Sequence, residues 1–299
     1  MTGLLNTATC TYEKTALALL PSQCVKSLPQ LADYTEYFEG IPKKKEGTQE
    51  NNISWLSFPA LQCQGLFCYR IDKDHVLLGG ALTDGGSVIQ WARELLDLWR
   101  DDEKFEVVVK RVEETTALEL KEREEQQQSD TLRWYPVNSV PCMVPFLSGE
   151  RSTGFRSGAT GAMMGLTRQT TPESLLQGCF ESISLRLKAI LDLIAAHGTQ
   201  DEKPFIIASG RAMEVNNYWR QMISDTSGLR VVFDGETKEG TSRGVARLVA
   251  MALNGCSISS FSEPVTPSVT SEPRSVATAM YKEKAEKQNA LIDAISPLF

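Results

Sequence analysis

Histidine is almost missing from this 299-residue chain: His75 and His197 are the only two, far apart and in no ligand pattern. A Ser-His-Asp or Cys-His mechanism, or a histidine-based metal site, would need one of them placed by accident of the fold. We read both as ordinary strand or helix-end residues. Paired cysteine is missing too. Cys10, Cys24, Cys63, Cys68, Cys142, Cys179 and Cys256 are scattered without a CxxC spacing, so neither a disulfide framework nor zinc is indicated, and reduced cytosolic thiols are expected. No apolar run approaches ~18 residues and no basic leader precedes an apolar core, so export and membrane spanning are not expected and a cytoplasmic location is. Positive charge is in deficit: the net charge is −7, which argues against a nucleic-acid surface. Any chemistry would have to use carboxylates, backbone amides and bound metal, the means of phosphoryl transfer.

What is present belongs to a globular protein. The chain is 41% hydrophobic and 23% charged, with ample length to bury a core. Residues 1–42 lead with one helical pattern near Tyr12–Leu20. Residues 43–54, KKKEGTQENNIS, are polar and aperiodic and read as a flexible loop. Leu66–Ile71 and His75–Leu82 form a strand hairpin about Asp72-Lys73-Asp74. A helix follows in which Val88, Trp91, Leu95, Leu98 and Trp99 recur at three- and four-residue spacing, with Ser87 placed to cap it. Asp101–Asp130 is charge-rich and reads as a solvated helix.

Further on, Thr171 and Pro172 are placed to cap and start a long helix that runs to His197. Pro204–Ala208 and Leu229–Phe233 are apolar runs fit for buried strands, with a helix through Trp219 and Met222 between them. The segment Glu239–Gly244 opens a helix over Val245–Leu253, residues 261–275 read as irregular, and a last helix covers Val276–Ile295. Strand hairpins followed by strand–helix units predict an α/β fold, a sheet covered by helices. Three glycine-bearing turns precede helices: Gly85-Gly86, Ser209-Gly210 and Gly240-Thr241-Ser242. Helix N-termini offer free N–H groups and partial positive charge, so the three turns are candidates for converging on a nucleotide.

Five segments carry a resemblance. GGALTDGGSVIQWARELL, PFLSGERSTGF, GATGAMMGLTRQTTPESLLQGCFESI, ASGRAMEVNNYWRQMISDTSGLRVV and EGTSRGVARLVAMALNG follow one another in an order and spacing that resemble the FGGY carbohydrate kinases, most nearly the gluconokinase and xylulokinase branch. The tail YKEKAEKQNALIDAISPLF resembles that family's final helix, and the first residues resemble the stretch that closes its first domain. The resemblance implies an actin/ribonuclease-H-like ATPase domain, a mixed sheet flanked by helices and incomplete at its start. It implies ATP with magnesium as cofactor and phosphorylation of a sugar or sugar acid. It also implies a division into residues 1–54, the end of a preceding domain plus a loop, and residues 55–299, the nucleotide-binding domain.

Transferred position by position, the resemblance implies nucleotide contacts at Gly86, Gln90, Gly210, Arg211 and Asn216. Glu150 and Arg151 match a segment near the domain cleft, and an Arg151–Glu150 pair of purely structural meaning is weighed beside it. Arg211 stands where the family has a second glycine, and its side chain would either crowd the adenosine or reach a phosphate. The family's Phe-Pro-Ala-type strand runs into a Gly-Asp-Gly turn bearing the catalytic base, then a Gly-Thr-Ser phosphate strand. Here WLSFPAL runs through Gln62-Cys63-Gln64 straight into Gly65-Leu66-Phe67, and both elements look excised.

No catalytic residue and no metal ligand is therefore assigned. Asp84 sits in a glycine turn where a substitute base is conceivable, but a turn residue beside a helix start is the favoured reading. The expectation is a truncated or misjoined kinase, inactive alone, that meets a sugar only if the missing domain is supplied and whose Leu66–Ile71 strand is an uncovered edge. The competing reading is a non-catalytic protein with an ATPase fold that pairs with a full-length kinase. Self-association is left open.

Overall fold

The computed structural model describes residues 5–6, 11–12, 14–18, 22–26, 65–70, 76–97, 101–127, 140–197, 204–235, 240–254 and 269–299. The chain forms two compact units, Met1–Gly79 with Glu239–Pro264, and Gly80–Lys238 with Val265–Phe299. The boundary expected after residue 54 and the Gln62–Gln64 junction lie outside the described residues.

In the first unit, β1 (Leu5–Asn6) and β2 (Thr11–Tyr12) make a short antiparallel pair, followed by α1 (Lys14–Leu17) and α2 (Ser22–Lys26). The single helix expected near Tyr12–Leu20 is thus replaced by a strand end and one helical turn. The expected hairpin forms: β3 (Phe67–Arg70) pairs antiparallel with β4 (Val76–Gly79), and with no other strand among the described residues. Phe67 and Tyr69, two apart and so on one face, stack with ring centroids 4.4 Å apart.

The second unit is built around one helix. It contains α3 (Gly86–Leu95), α4 (Asp102–Gln127), the antiparallel pair β5 (Cys142–Val144) and β6 (Ala162–Met164), and α5 (Pro172–His197). Then come β7 (Ile206–Ala208), α6 (Arg211–Val215), α7 (Asn217–Ser227) and β8 (Val231–Phe233). In the first unit α8 (Gly240–Asn254) follows, and in the second the chain closes with β9 (Val269–Ser271) and α9 (Ser275–Ile295). β7 pairs in parallel with β8, which pairs antiparallel with β9, so this sheet is mixed as expected.

α5 is apolar on most of its surface because it is covered on most sides. Leu176, Phe180 and Ile183 are buried with Val88, Ile89 and Ala92 of α3, Tyr218, Trp219 and Met222 of α7, and Ala277, Met280 and Tyr281 of α9. The Phe180 ring meets Tyr218 and Trp219 edge-on, at 5.7 and 5.5 Å between centroids. Its start is as read: Thr171 Oγ1 accepts from Ser174 N–H at 3.2 Å, and Ser174 Oγ accepts in return from Thr171 N–H at 2.9 Å.

Four expectations change. α3 is capped at Gly85 without a side-chain bond, because the Ser87 hydroxyl donates to Asp84 instead. α3 stops at Leu95, which is 62% exposed, so the apolar spacing overstated the buried face. α4 is not wholly solvated: Val112, Thr116 and Leu120, four apart, form a buried stripe, and Thr116 Oγ1 hydrogen-bonds the Tyr218 hydroxyl at 3.0 Å. The surrounding charges had masked that stripe. Within 261–275, Val269–Ser271 is a strand, too short and too near prolines for a periodic signal.

Candidate functional site

The loop that follows β5 carries PFLSGERSTGF and is tied to the segment that leads into α3. Ala81 N–H donates to Ser152 Oγ at 3.0 Å, and Ser152 N–H donates to the Ala81 carbonyl at 3.0 Å. Ser148 N–H donates to Asp84 Oδ2 at 2.6 Å, while Asp84 Oδ1 takes the Ser87 hydroxyl at 3.1 Å. Both Asp84 oxygens are therefore engaged in holding a turn against a loop, and the residue is buried. This is the structural role favoured over that of a substitute base.

Within the loop, Gly149 has φ +87°, and a Cβ there would stand 2.8 Å from the Ser157 carbonyl oxygen, so only glycine fits. Glu150 is 4% exposed and is the hub of the loop. Its carboxylate accepts from Arg156 Nε at 2.6 Å, Arg186 at 3.3 Å and Thr153 N–H at 3.2 Å. Arg186, carried on α5, also reaches Thr153 Oγ1 at 2.8 Å and Asn289 of α9 at 3.3 Å, and burial pulls its pKa down. Arg156 bonds Ser296 and lies 5.6 Å from the Phe299 ring centroid. Arg151, by contrast, is exposed. The expected alternative, an Arg151–Glu150 pair, does not form; Arg156, six residues on, and Arg186 of α5 take its place. Proximity in sequence pointed to the wrong arginine.

The nucleotide-side candidates fall on two turns of this unit. Gly86 opens α3, and a Cβ at Gly85 or Gly86 would meet nothing within 4 Å. Gln90 is exposed one turn later and donates to Glu94 at 3.0 Å. Gly210 has φ +93° and also faces open space. Arg211 does not enter the core: it is exposed and paired with Glu214 at 2.9 Å. Asn216 caps α7, its Oδ1 accepting from Trp219 N–H at 2.9 Å, which leaves its amide N–H₂ for other partners. The third glycine turn, at Gly240, belongs to the other unit.

A further polar group went unread in the sequence. Lys284 of α9 pairs with the buried Glu181 of α5 at 2.7 Å and with Glu119 of α4 at 3.4 Å, the lysine and Glu119 being part-exposed. Burial pushes the Glu181 carboxyl up, against the pull of Lys284. Burial would lower the Lys284 ammonium, but Glu181 and Glu119 outweigh it and hold it above the ordinary lysine range. A small pocket of about 80 Å³ lies beside it, lined by Cys142, Gly178, Glu181 and Lys284 among others. Among the described residues no group of three or more His, Cys, Asp or Glu side chains forms a metal site, and no helix is long and apolar enough to cross a membrane.

The sheet of this unit is mixed and helices pack around it, and its turns at Gly86 and Gly210 open onto free space. The chain belongs to the FGGY family of carbohydrate kinases: the family's C-terminal domain matches residues 63–253, well over half of the chain. A xylulose kinase of Klebsiella pneumoniae is 34% identical over 111 residues, 37% of this chain and 22% of that protein. A glycerol kinase of Halothermothrix orenii is 28% identical over 183 residues, 61% of this chain and 32% of that protein. The crystal structure of ligand-bound xylulose kinase from Lactobacillus acidophilus superposes with a TM-score of 0.60 at 21% identity, covering 78% of this chain and 42% of that one. The likeness is one of fold, actin/ribonuclease-H-like, and this chain spans less than half the length of each of these proteins.

Proposed function

We propose that this chain is the nucleotide-side portion of an ATP-dependent kinase that phosphorylates a sugar or sugar acid of the xylulose or gluconate type. Residues 55–299 form the nucleotide-binding domain and residues 1–54 the end of the domain before it. The observation that carries the reading is the pair of glycine turns, at Gly86 and Gly210, that open onto free space within a domain of FGGY lineage. ATP fits such turns: backbone N–H groups at Gly86 suit phosphate oxygens, and the Asn216 amide suits a nucleobase edge. Magnesium would arrive with the phosphates, and no residue of this chain is assigned to it.

The same reading makes the chain inactive, or nearly so, by itself. Phosphoryl transfer is mostly positioning and charge stabilisation, with a base to accept the hydroxyl proton. The stretch Leu61–Leu66 holds no acid where the family resemblance implies that base, and a general base contributes roughly 10²–10⁴-fold. The matched relatives are kinases, which favours this reading over a non-catalytic pairing protein.

Calorimetry with ATP and a phosphorylation assay over a panel of sugars and sugar acids test both halves. Saturable ATP binding without sugar phosphate is the expected result. No ATP binding at millimolar concentration would refute the nucleotide site, and robust turnover would refute the inactivity.

A further inference from the structure

α6, the five-residue helix between Gly210 and Asn216, has no buried residue. Only Met213 of its side chains packs, part-buried, against the core, and a helix of this length is not stable by itself. It nevertheless carries the loop on which Gly210, Arg211 and Asn216 lie. One side chain reaches it from below. Arg220 of α7 is 4% exposed, and its guanidinium bonds the carbonyl oxygens of Met213 and, at 3.0 Å, of Glu214. It also bonds Asn217 Oδ1, and it lies over the Phe233 ring at 5.1 Å from the centroid.

These are the carbonyls that the end of a helix leaves without partners, at the pole where a positive charge is favourable. Among the described residues the hydrogen bonds of Arg220 go to neutral oxygens, so a buried cation is committed to holding a surface turn. A planar fork can bond two carbonyls and an amide at once, which a lysine ammonium on a flexible stem does poorly.

We propose that Arg220 is the positioning residue for the adenosine side of the nucleotide site. It fixes the backbone of 211–216, and so the direction in which the Gly210 turn and the Asn216 amide face. The proposal rests on the nucleotide reading above, and two independent readouts separate them. The first is hydrogen exchange of the nucleotide-free protein. Arg220→Lys and Arg220→Met should speed exchange of the amides in 212–217 by about tenfold or more while α5 amides keep their wild-type rates. The second is affinity for ATP against inorganic tripolyphosphate. ATP should weaken by about tenfold in both variants while tripolyphosphate is held as in the wild type.

Arg274→Met, which breaks the other arginine contact of α7, to Asp225, serves as the control for general loosening and should leave the ATP-to-tripolyphosphate ratio unchanged. Unchanged exchange in 212–217 overturns the bracing, as does an increase spread evenly over α5. Faster exchange with wild-type ATP affinity overturns the positioning role. Should the wild type bind no ATP while exchange still responds to Arg220, the nucleotide reading has failed, and the proposal with it, though the brace itself stands.

Discussion

The Asp84 carboxylate accepts the Ser148 backbone N–H at 2.6 Å and the Ser87 hydroxyl at 3.1 Å, and so joins the start of α3 to the loop that carries Glu150. The sequence distance between the partners is 64 residues, so no local pattern announces the bond. Removing the acceptor leaves a part-buried amide unsatisfied. Asp84→Ala should cost about 1–3 kcal/mol of unfolding free energy, and Asp84→Asn, which keeps one acceptor oxygen, clearly less. Urea denaturation of the two variants measures the difference.

Glu150 and Arg186 are a buried pair, with side chains 1% and 3% exposed. Glu150→Ala would strand Arg186 and should cost about 3–5 kcal/mol. Arg151→Ala, next door but exposed, should stay within about 0.5 kcal/mol of wild type. Equal effects of the two substitutions would contradict the assignment of Arg156 and Arg186 as the partners.

Glycines that look alike in the sequence differ in what they tolerate. Gly149→Ala meets both a left-handed backbone and the Ser157 carbonyl, and should destabilise by about 1–3 kcal/mol. Gly86→Ala meets neither and should leave the melting temperature near that of wild type, while weakening ATP if phosphate approaches the turn as proposed. Thermal melts with and without ATP separate the two quantities.

Lys284 makes stability depend on pH at the alkaline end. Its folded-state pKa is raised above the ordinary lysine value near 10.4, so its contribution is fully present below that value and is lost as pH rises through the higher, folded one. Lys284→Met should therefore be destabilised relative to wild type at neutral pH, with the gap narrowing above about pH 10.4. At neutral pH the size of the gap should approach about 3–5 kcal/mol, because Glu181 is left buried beside it without its cation. Denaturation at two pH values settles the sign.

Much of the helical layer was legible. The stripe Leu176, Phe180, Ile183 and the Thr171-Pro172 start are local signals, and α5 obeys them within a residue. β9 was not legible, because a three-residue strand has no period to detect and exists only by pairing with β8. The buried face of α4 was hidden for another reason: three residues spaced by four cannot outweigh a charge-rich helix until α5 and α9 are seen to pack against it. In the candidate site, the turns at Gly86 and Gly210 could be read because glycine marks a turn before a helix, whereas Asn216 was implied only by the family resemblance. Arg220 could not be read, since two of its three partners are backbone carbonyls, which carry no side-chain signature.

The sequence alone determined the lineage, through the resemblance of its motifs, and the places of the long helices and glycine turns, since periodicity, capping and backbone freedom are properties of neighbouring residues. Tertiary structure alone decided which arginines Glu150 holds, which donors Asp84 accepts and which carbonyls Arg220 reaches. Those depend on which oxygen lies within reach of which donor, and the fold brings together groups that the chain keeps far apart.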